Sequence, residues 1–170
     1  MRPVVCANLP YNITSPVITA FLEAGCFETI TVMIQKEVAK RMNAKPGTAD
    51  YGAFTLLVQW YCETEILFDV SPNCFMPAPK VTSSVIQLRK RSVPVCAVKN
   101  EQLMFRVIRA AFNQRRKTLR NSLKPLIRAK ADRLGWSEEQ LAEFVADPVF
   151  ELRPERLSVE DFIALTLKLA

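Results

Sequence analysis

Histidine is absent from this 170-residue sequence, which excludes Ser-His and Cys-His nucleophilic catalysis and every histidine-based metal centre. Cysteine is sparse and unpaired: Cys6, Cys26, Cys62, Cys74 and Cys96 are odd in number, widely spaced and never in a C-x-x-C arrangement. That pattern argues against a disulfide framework and a zinc site, so no metal is expected and the five read as buried, reduced thiols. Long apolar runs are missing too, and Met1-Arg2-Pro3 does not open a signal peptide. The expectation is a soluble, cytoplasmic chain with no membrane partner. Any chemistry here must rest on positioning.

What is present is an ordinary globular composition, 49% hydrophobic and 24% charged, enough to bury a core. The net charge of +6 is unevenly spread. Between Arg106 and Arg133 lie ten basic residues (Arg106, Arg109, Arg115, Arg116, Lys117, Arg120, Lys124, Arg128, Lys130, Arg133) against the single acid Asp132. This local balance of +9 leaves the rest of the chain at −3. The asymmetry points to a polyanion-binding segment, with a solvated helix surface as the alternative. Arg109, Arg116 and Arg120 are expected on one helix face, where they would suit the negative groups of a polyanion.

Taken in order, residues 3–8 read as a buried strand. Ser15-Pro16 reads as the cap and first turn of a helix with Val17, Ile18, Phe21 and Leu22 as its apolar stripe and Gly25 as its end. Residues 29–34 are β-branched and predict a second strand, followed by a helix over 35–42. Strand, helix, strand, helix implies parallel strands with crossover helices. A loop at 45–50 precedes helical spacing at Phe54, Leu57, Val58 and Tyr61. Two strands, 63–70 and 83–88, are then joined by a loop carrying Pro72, Pro77 and Pro79, and predict an antiparallel hairpin at the sheet edge. Residues 90–99 read as a linker. Beyond it everything is helical, with Ser137 and Gln140 forming a capping pair and a last helix starting after Ser158.

The most informative stretch is Asn8-Leu9-Pro10-Tyr11 at the end of the first strand, where ligand sites of open α/β sheets lie. Methylation of an exocyclic amine needs acceptors on the amino hydrogens, because the nitrogen lone pair is otherwise conjugated into its ring. The Asn8 side-chain oxygen and the Leu9 carbonyl could serve, since Pro10 fixes the turn and offers no competing N–H. Tyr11 would stack on the base. A strand-ending turn whose Asn and Pro are only turn formers fits these four residues equally well.

Five segments occur in fixed order: Asn8-Leu9-Pro10-Tyr11-Asn12-Ile13; Gln35-Lys36-Glu37-Val38-Ala39-x-Arg41; Tyr51-Gly52; Phe75-x-Pro77-x-Pro79-Lys80-Val81-x-Ser83-x-Val85; and Ala111-Phe112-x-Gln114-Arg115-Arg116-Lys117-x-Leu119. Together they resemble the ribosomal RNA adenine N6-dimethyltransferases, and among them the KsgA/RsmA branch that modifies small-subunit rRNA. The resemblance covers nearly all of the sequence. It implies that Asn8 contacts the target amine beside S-adenosylmethionine, that Leu9 and Pro10 form the pocket backbone, and that Tyr11 and Phe75 close on the two faces of an extruded adenine. It also implies RNA contacts for Arg109, Arg115, Arg116, Lys117, Arg120 and Lys124. For Phe75 the alternative is an ordinary core residue. For Gln35, Glu37 and Arg41 it is a solvated helix start with Glu37 and Arg41 paired.

The expected fold class is α/β, the C-terminal half of a class I (Rossmann-like) methyltransferase sheet over residues 1–92, followed by a small all-α RNA-binding domain over 93–170. The departure from the family is an absence. The glycines are Gly25, Gly47, Gly52 and Gly135, none in a G-x-G pattern, so the glycine-rich cofactor loop and the acidic residue after the second strand are not in this sequence. The chain opens at what would be the family's fourth strand. The expectation is a target-base pocket and RNA platform that lack most of the S-adenosylmethionine site, are inactive alone, and leave the first strand with an unpaired edge. Two alternatives remain, a non-catalytic ribosome-assembly module and the 23S rRNA antibiotic-resistance branch. The helical tail after residue 95 is taken to favour the small-subunit branch.

Overall fold

The structure, a computed structural model, describes residues 3–92 and 101–170. From residue 93 on, the expected linker lies outside the described residues. The chain divides into two compact units, Met1–Lys45 with Phe54–Pro94, and Pro46–Ala53 with Val95–Ala170.

The first unit contains β1 (Val4–Asn8), α1 (Thr14–Ala24), β2 (Thr29–Gln35), α2 (Lys36–Met42), α3 (Ala53–Tyr61), β3 (Cys62–Val70) and β4 (Ser83–Lys90). The sheet order is β1-β2-β4-β3. β1 and β2 are parallel, from Val4 opposite Thr29 to Asn8 opposite Met33. β4 runs antiparallel to both of its neighbours, so the hairpin places its second strand against β2 and leaves β3 at the edge. Alternation along β2 buries Ile30, Val32 and Ile34. These pack in one cluster with Ile18 and Leu22 of α1, Ala39 and Met42 of α2, Val58 of α3, and Ile86 and Leu88 of β4. Each of these side chains larger than Ala39 contributes about 1.5–3 kcal/mol by burial.

Among the described residues β1 pairs only with β2, as an edge strand with Val4, Cys6 and Asn8 exposed. Three sequence expectations need correction here. The first strand is not buried: none of Val4–Asn8 is, and alternate residues are exposed. Ser15 is not the cap of α1. A 3₁₀ turn at Tyr11–Ile13 runs straight into the helix, which starts at Thr14, and the Thr14 hydroxyl donates to the Pro10 carbonyl. Pro16 is tolerated because first-turn N–H groups have no helical partner. Nor are the cysteines uniformly buried: Cys62 is, but Cys6, Cys26 and Cys74 are exposed, and these four are free thiols. Cys6 shares with Val4 and Asn8 the exposed face of β1. At Gly25 the expected helix end is present, in the left-handed conformation that spares glycine the Cβ penalty.

The second unit is helical: α4 (Glu101–Asn113), α5 (Leu119–Ser122), α6 (Lys124–Leu134), α7 (Glu138–Val145) and α8 (Val159–Leu169). Ser137 with Gln140 and Ser158 with Asp161 form complete capping boxes. The core includes Met104, Ile108, Leu119, Leu123, Phe150 and Phe162. Residues 46–53 belong to this unit rather than to the sheet that flanks them in sequence. Gly47 N–H donates to the Glu155 carbonyl at 2.7 Å and the Tyr51 phenol to the Leu157 carbonyl at 2.8 Å, while the Tyr51 ring packs against Phe112.

Candidate active site

Asn8 is the last residue of β1, and the chain leaves the sheet there under tight control. Leu9 is buried, and its N–H donates to the Met33 carbonyl at 3.1 Å, tying the loop to β2. The Pro10 carbonyl is taken up by the Ile13 N–H at 3.2 Å and the Thr14 hydroxyl at 3.1 Å. Among the described residues, the Asn8 side chain and the Leu9 carbonyl have no hydrogen-bond partner. Two acceptors are thus left open at the carboxyl end of the strand, beside a turn that has consumed its own.

The opposite wall comes from the β3–β4 connection. The Ser71 side chain caps a 3₁₀ turn at Pro72–Cys74 by accepting from the Asn73 N–H, and the Phe75 N–H donates to the Pro72 carbonyl at 3.2 Å. The Met76–Pro77 peptide is cis. A cavity of about 320 Å³ is lined by Asn8, Leu9, Pro10, Tyr11, Phe75, Pro77 and Pro79. Asn8, Leu9, Pro10, Tyr11 and Phe75, the five residues singled out in sequence, therefore surround one space, and Phe75 is not an ordinary core residue.

Sequence reasoning assigned no site role to Ser83, Pro77 or Pro79. Ser83 is fully buried, and its hydroxyl lies 2.7 Å from the Tyr11 phenol oxygen. The signal was the spacing of Pro77, Pro79 and Ser83 after Phe75, read only as a motif. The adjacent Ser84 hydroxyl donates to Asp69 at 2.6 Å, and Lys36 pairs with the same carboxylate. The Lys36 and Ser84 hydrogen bonds hold the Asp69 carboxyl below its usual range. Glu37 and Arg41 pair with each other across one helical turn.

In the second unit the basic segment is not one continuous helical face. α4 ends at Asn113 and α5 begins at Leu119, so Arg109, Arg116 and Arg120 fall on a helix, a turn and a second helix. The break has tertiary causes. The Arg115 guanidinium turns to the carbonyls of Thr48 and Ala49, and the Leu119 N–H donates to the Leu152 carbonyl. Arg120 donates to the Val145 carbonyl and pairs with Glu151. Lys130 donates to the carbonyls of Lys168 and Ala170 and stands over Trp136 and Phe144. Arg109, Arg116, Lys117 and Lys124 are exposed, with no side-chain partner among the described residues. Arg116 and Lys117 border a hollow of about 400 Å³ together with Phe112. Lys124 and Arg120 border another of about 230 Å³ with Ile127, Leu141 and Val145 in its wall. No group of three or more potential metal ligands, and no helix long and apolar enough to cross a membrane, occurs among the described residues.

Comparison with known proteins bears on this arrangement. The Ribosomal RNA small subunit methyltransferase A of Clostridium botulinum is 50% identical over 157 residues, covering 92% of this chain and 55% of that protein. The Clostridium perfringens protein of the same description is 48% identical over 161 residues, covering 94% and 54%. The chain thus spans about half the length of these curated relatives. Among solved structures, a dimethyladenosine transferase from Plasmodium falciparum superposes with a TM-score of 0.76 at 26% identity, over 98% of this chain and 64% of that one. The 23S rRNA methyltransferase ErmE gives a TM-score of 0.60 at 25% identity, again over 98% and 64%. The fold is the α/β methyltransferase type followed by helices. The model of the family described as "Ribosomal RNA adenine dimethylase" matches residues 2–145, and this chain belongs to that family.

Proposed function

We propose that the chain carries the target-base pocket and RNA-binding platform of a small-subunit rRNA adenine N6,N6-dimethyltransferase that acts in ribosome biogenesis in the cytoplasm. The observation that carries this reading is the cavity itself. It is lined by two aromatic side chains, Tyr11 and Phe75, and by the residues of two unsatisfied acceptors, the Asn8 amide oxygen and the Leu9 carbonyl. Those acceptors would hold the two amino hydrogens of an adenine and draw the nitrogen lone pair out of conjugation with the ring. The aromatic faces would offset the stacking an extruded base loses, roughly 1–3 kcal/mol per base. Arg109, Arg116, Lys117 and Lys124 are the groups available to rRNA phosphates. Arg115 and Arg120 take part while anchored to carbonyls of their own unit.

The methyl donor implied is S-adenosylmethionine, which supplies an electrophilic methyl group. Of this chain's residues only Asn8 would border it, and no Gly-x-Gly turn is present to cradle it. The residues present do not make a complete cofactor site, so the chain by itself binds and orients adenine without completing transfer. The experiment is isothermal titration of the 170-residue chain with S-adenosylmethionine, paired with an assay on unmethylated small ribosomal subunits and labelled cofactor. Salt-sensitive subunit binding with neither tight cofactor binding nor label supports the reading. Tight one-to-one cofactor binding would overturn the incomplete-site claim, and absence of subunit binding would overturn the platform.

A further inference from the structure

The rim of the cavity carries a side chain that the pocket does not use. Met76 lies between Phe75 and Pro77, both of which line the cavity, and is itself 100% exposed. A large apolar side chain held wholly in water forgoes the free energy of burial. The loop that presents it is constrained rather than loose. The Ser71 hydroxyl accepts from the Asn73 N–H, the Cys74 and Phe75 N–H groups donate to the carbonyls of Ser71 and Pro72, and Pro77 and Pro79 fix their own φ. Lys80, exposed on the same loop, offers a cation to a nearby phosphate.

An adenine drawn from an RNA helix leaves a gap between its former neighbours, and extrusion is opposed until something fills that gap. Apolar wedges, methionine among them, are a known physical solution, and a flexible thioether adapts well to aromatic faces. Resting on the adenine reading of the pocket, we propose that Met76 is a positioning residue that enters the RNA stack in place of the adenine held between Tyr11 and Phe75. It touches the bases left behind, not the reacting nitrogen, so it should matter only where an adenine must first leave a stack.

The test compares the full chain with Met76→Ala and Met76→Leu on two RNA hairpins, one with a single adenine stacked within a G·C stem and one with that adenine in an unpaired tail. A third hairpin carries purine, which lacks the amino group, at the stem position. Affinity is read by fluorescence anisotropy, and extrusion by loss of the imino proton resonance of the uridine opposite the adenine. Met76→Ala is expected to weaken binding to the stem adenine roughly tenfold and to restore the uridine imino signal, with the tail adenine bound as before and Met76→Leu close to the original chain. Equal affinities of Met76→Ala and the original chain for the stem adenine, or equal losses on stem and tail RNAs, would overturn the wedge while leaving the pocket intact. If the original chain does not distinguish adenine from purine, the adenine reading itself fails and the wedge falls with it.

Discussion

The Tyr11 phenol oxygen and the Ser83 hydroxyl, 72 positions apart in the chain, lie 2.7 Å from each other. Tyr11 opens the turn after β1 and Ser83 is the fully buried first residue of β4, so one hydrogen bond orients an aromatic wall of the cavity from across the sheet. Tyr11→Phe and Ser83→Ala should each weaken adenine-dependent RNA binding by about 0.5–1.5 kcal/mol, as expected for one neutral hydrogen bond. The double variant should lose no more than either single one, because both remove the same bond. Fully additive losses would show that the two side chains act separately.

Alkaline instability is the second prediction. Burial pushes the Cys62 thiol from its usual 9.0 up to about 11, against the opposing pull of Arg91 and Lys90. Burial first, then Glu160 and Asp161, raises the Tyr51 phenol above its ordinary value of 10.0. In both cases the folded value exceeds the unfolded one, so the folded chain keeps its proton longer. The stabilising contribution of Cys62 is complete below pH 9 and lost as the pH climbs through about 11. Denaturant midpoints measured across this window should fall with pH, and Cys62→Ala should flatten the fall in the sheet unit. Tyr51→Phe should flatten the part above pH 10 in the helical unit. A pH slope identical in all three proteins contradicts the assignment.

Neighbouring arginines should behave differently. Arg115 is held by the Thr48 and Ala49 carbonyls, whereas Arg116 is exposed with no side-chain partner among the described residues. Arg116→Ala should leave melting unchanged, weaken RNA binding for all sequences alike and lower the salt slope by about 1. Arg115→Ala should destabilise the helical unit by about 1 kcal/mol. Titrations against salt, alongside thermal melts, separate the two; an Arg116→Ala slope equal to that of the parent would remove this residue from the interface.

The open side of β1 yields a fourth expectation. With Val4 and Cys6 exposed on a strand that, among the described residues, pairs only with β2, the backbone groups of its outer edge invite another strand. Sedimentation velocity should show concentration-dependent association under reducing conditions, and Val4→Lys should suppress it. A monomer at every concentration would mean that the edge is protected in some other way.

Much of this architecture could be read from the residues. Alternating β-branched residues at 29–34 placed β2, Gly25 marked the end of α1, and Ser137 with Gln140 marked a helix start, because those signals are local. The five cavity residues were also identified in sequence, since strand, turn and aromatic lie in short fixed motifs. Interactions between distant segments were not legible. The helix break after Asn113 follows from Arg115 reaching back to Thr48 and Ala49, and nothing in Gln114-Arg115-Arg116-Lys117 resists helix. Ser83 looked like an ordinary strand residue until the sheet brought it to Tyr11. The loop at 45–50 reads as part of the first domain, whereas the contacts of Gly47 with Glu155, of Tyr51 with Leu157 and Phe112, and of Arg115 with Thr48 and Ala49 put residues 46–53 with the helices.

The central claim is that the space between Asn8, Tyr11 and Phe75 receives an adenine by its amino group. The most direct measurement is the affinity of the chain for a small-subunit rRNA hairpin with adenine at one position, against the same RNA with purine there, in the original chain and in Asn8→Ala. The predicted result is a preference for adenine of roughly tenfold that Asn8→Ala abolishes while purine binding stays unchanged. Equal affinity for the two RNAs in the original chain would contradict the account.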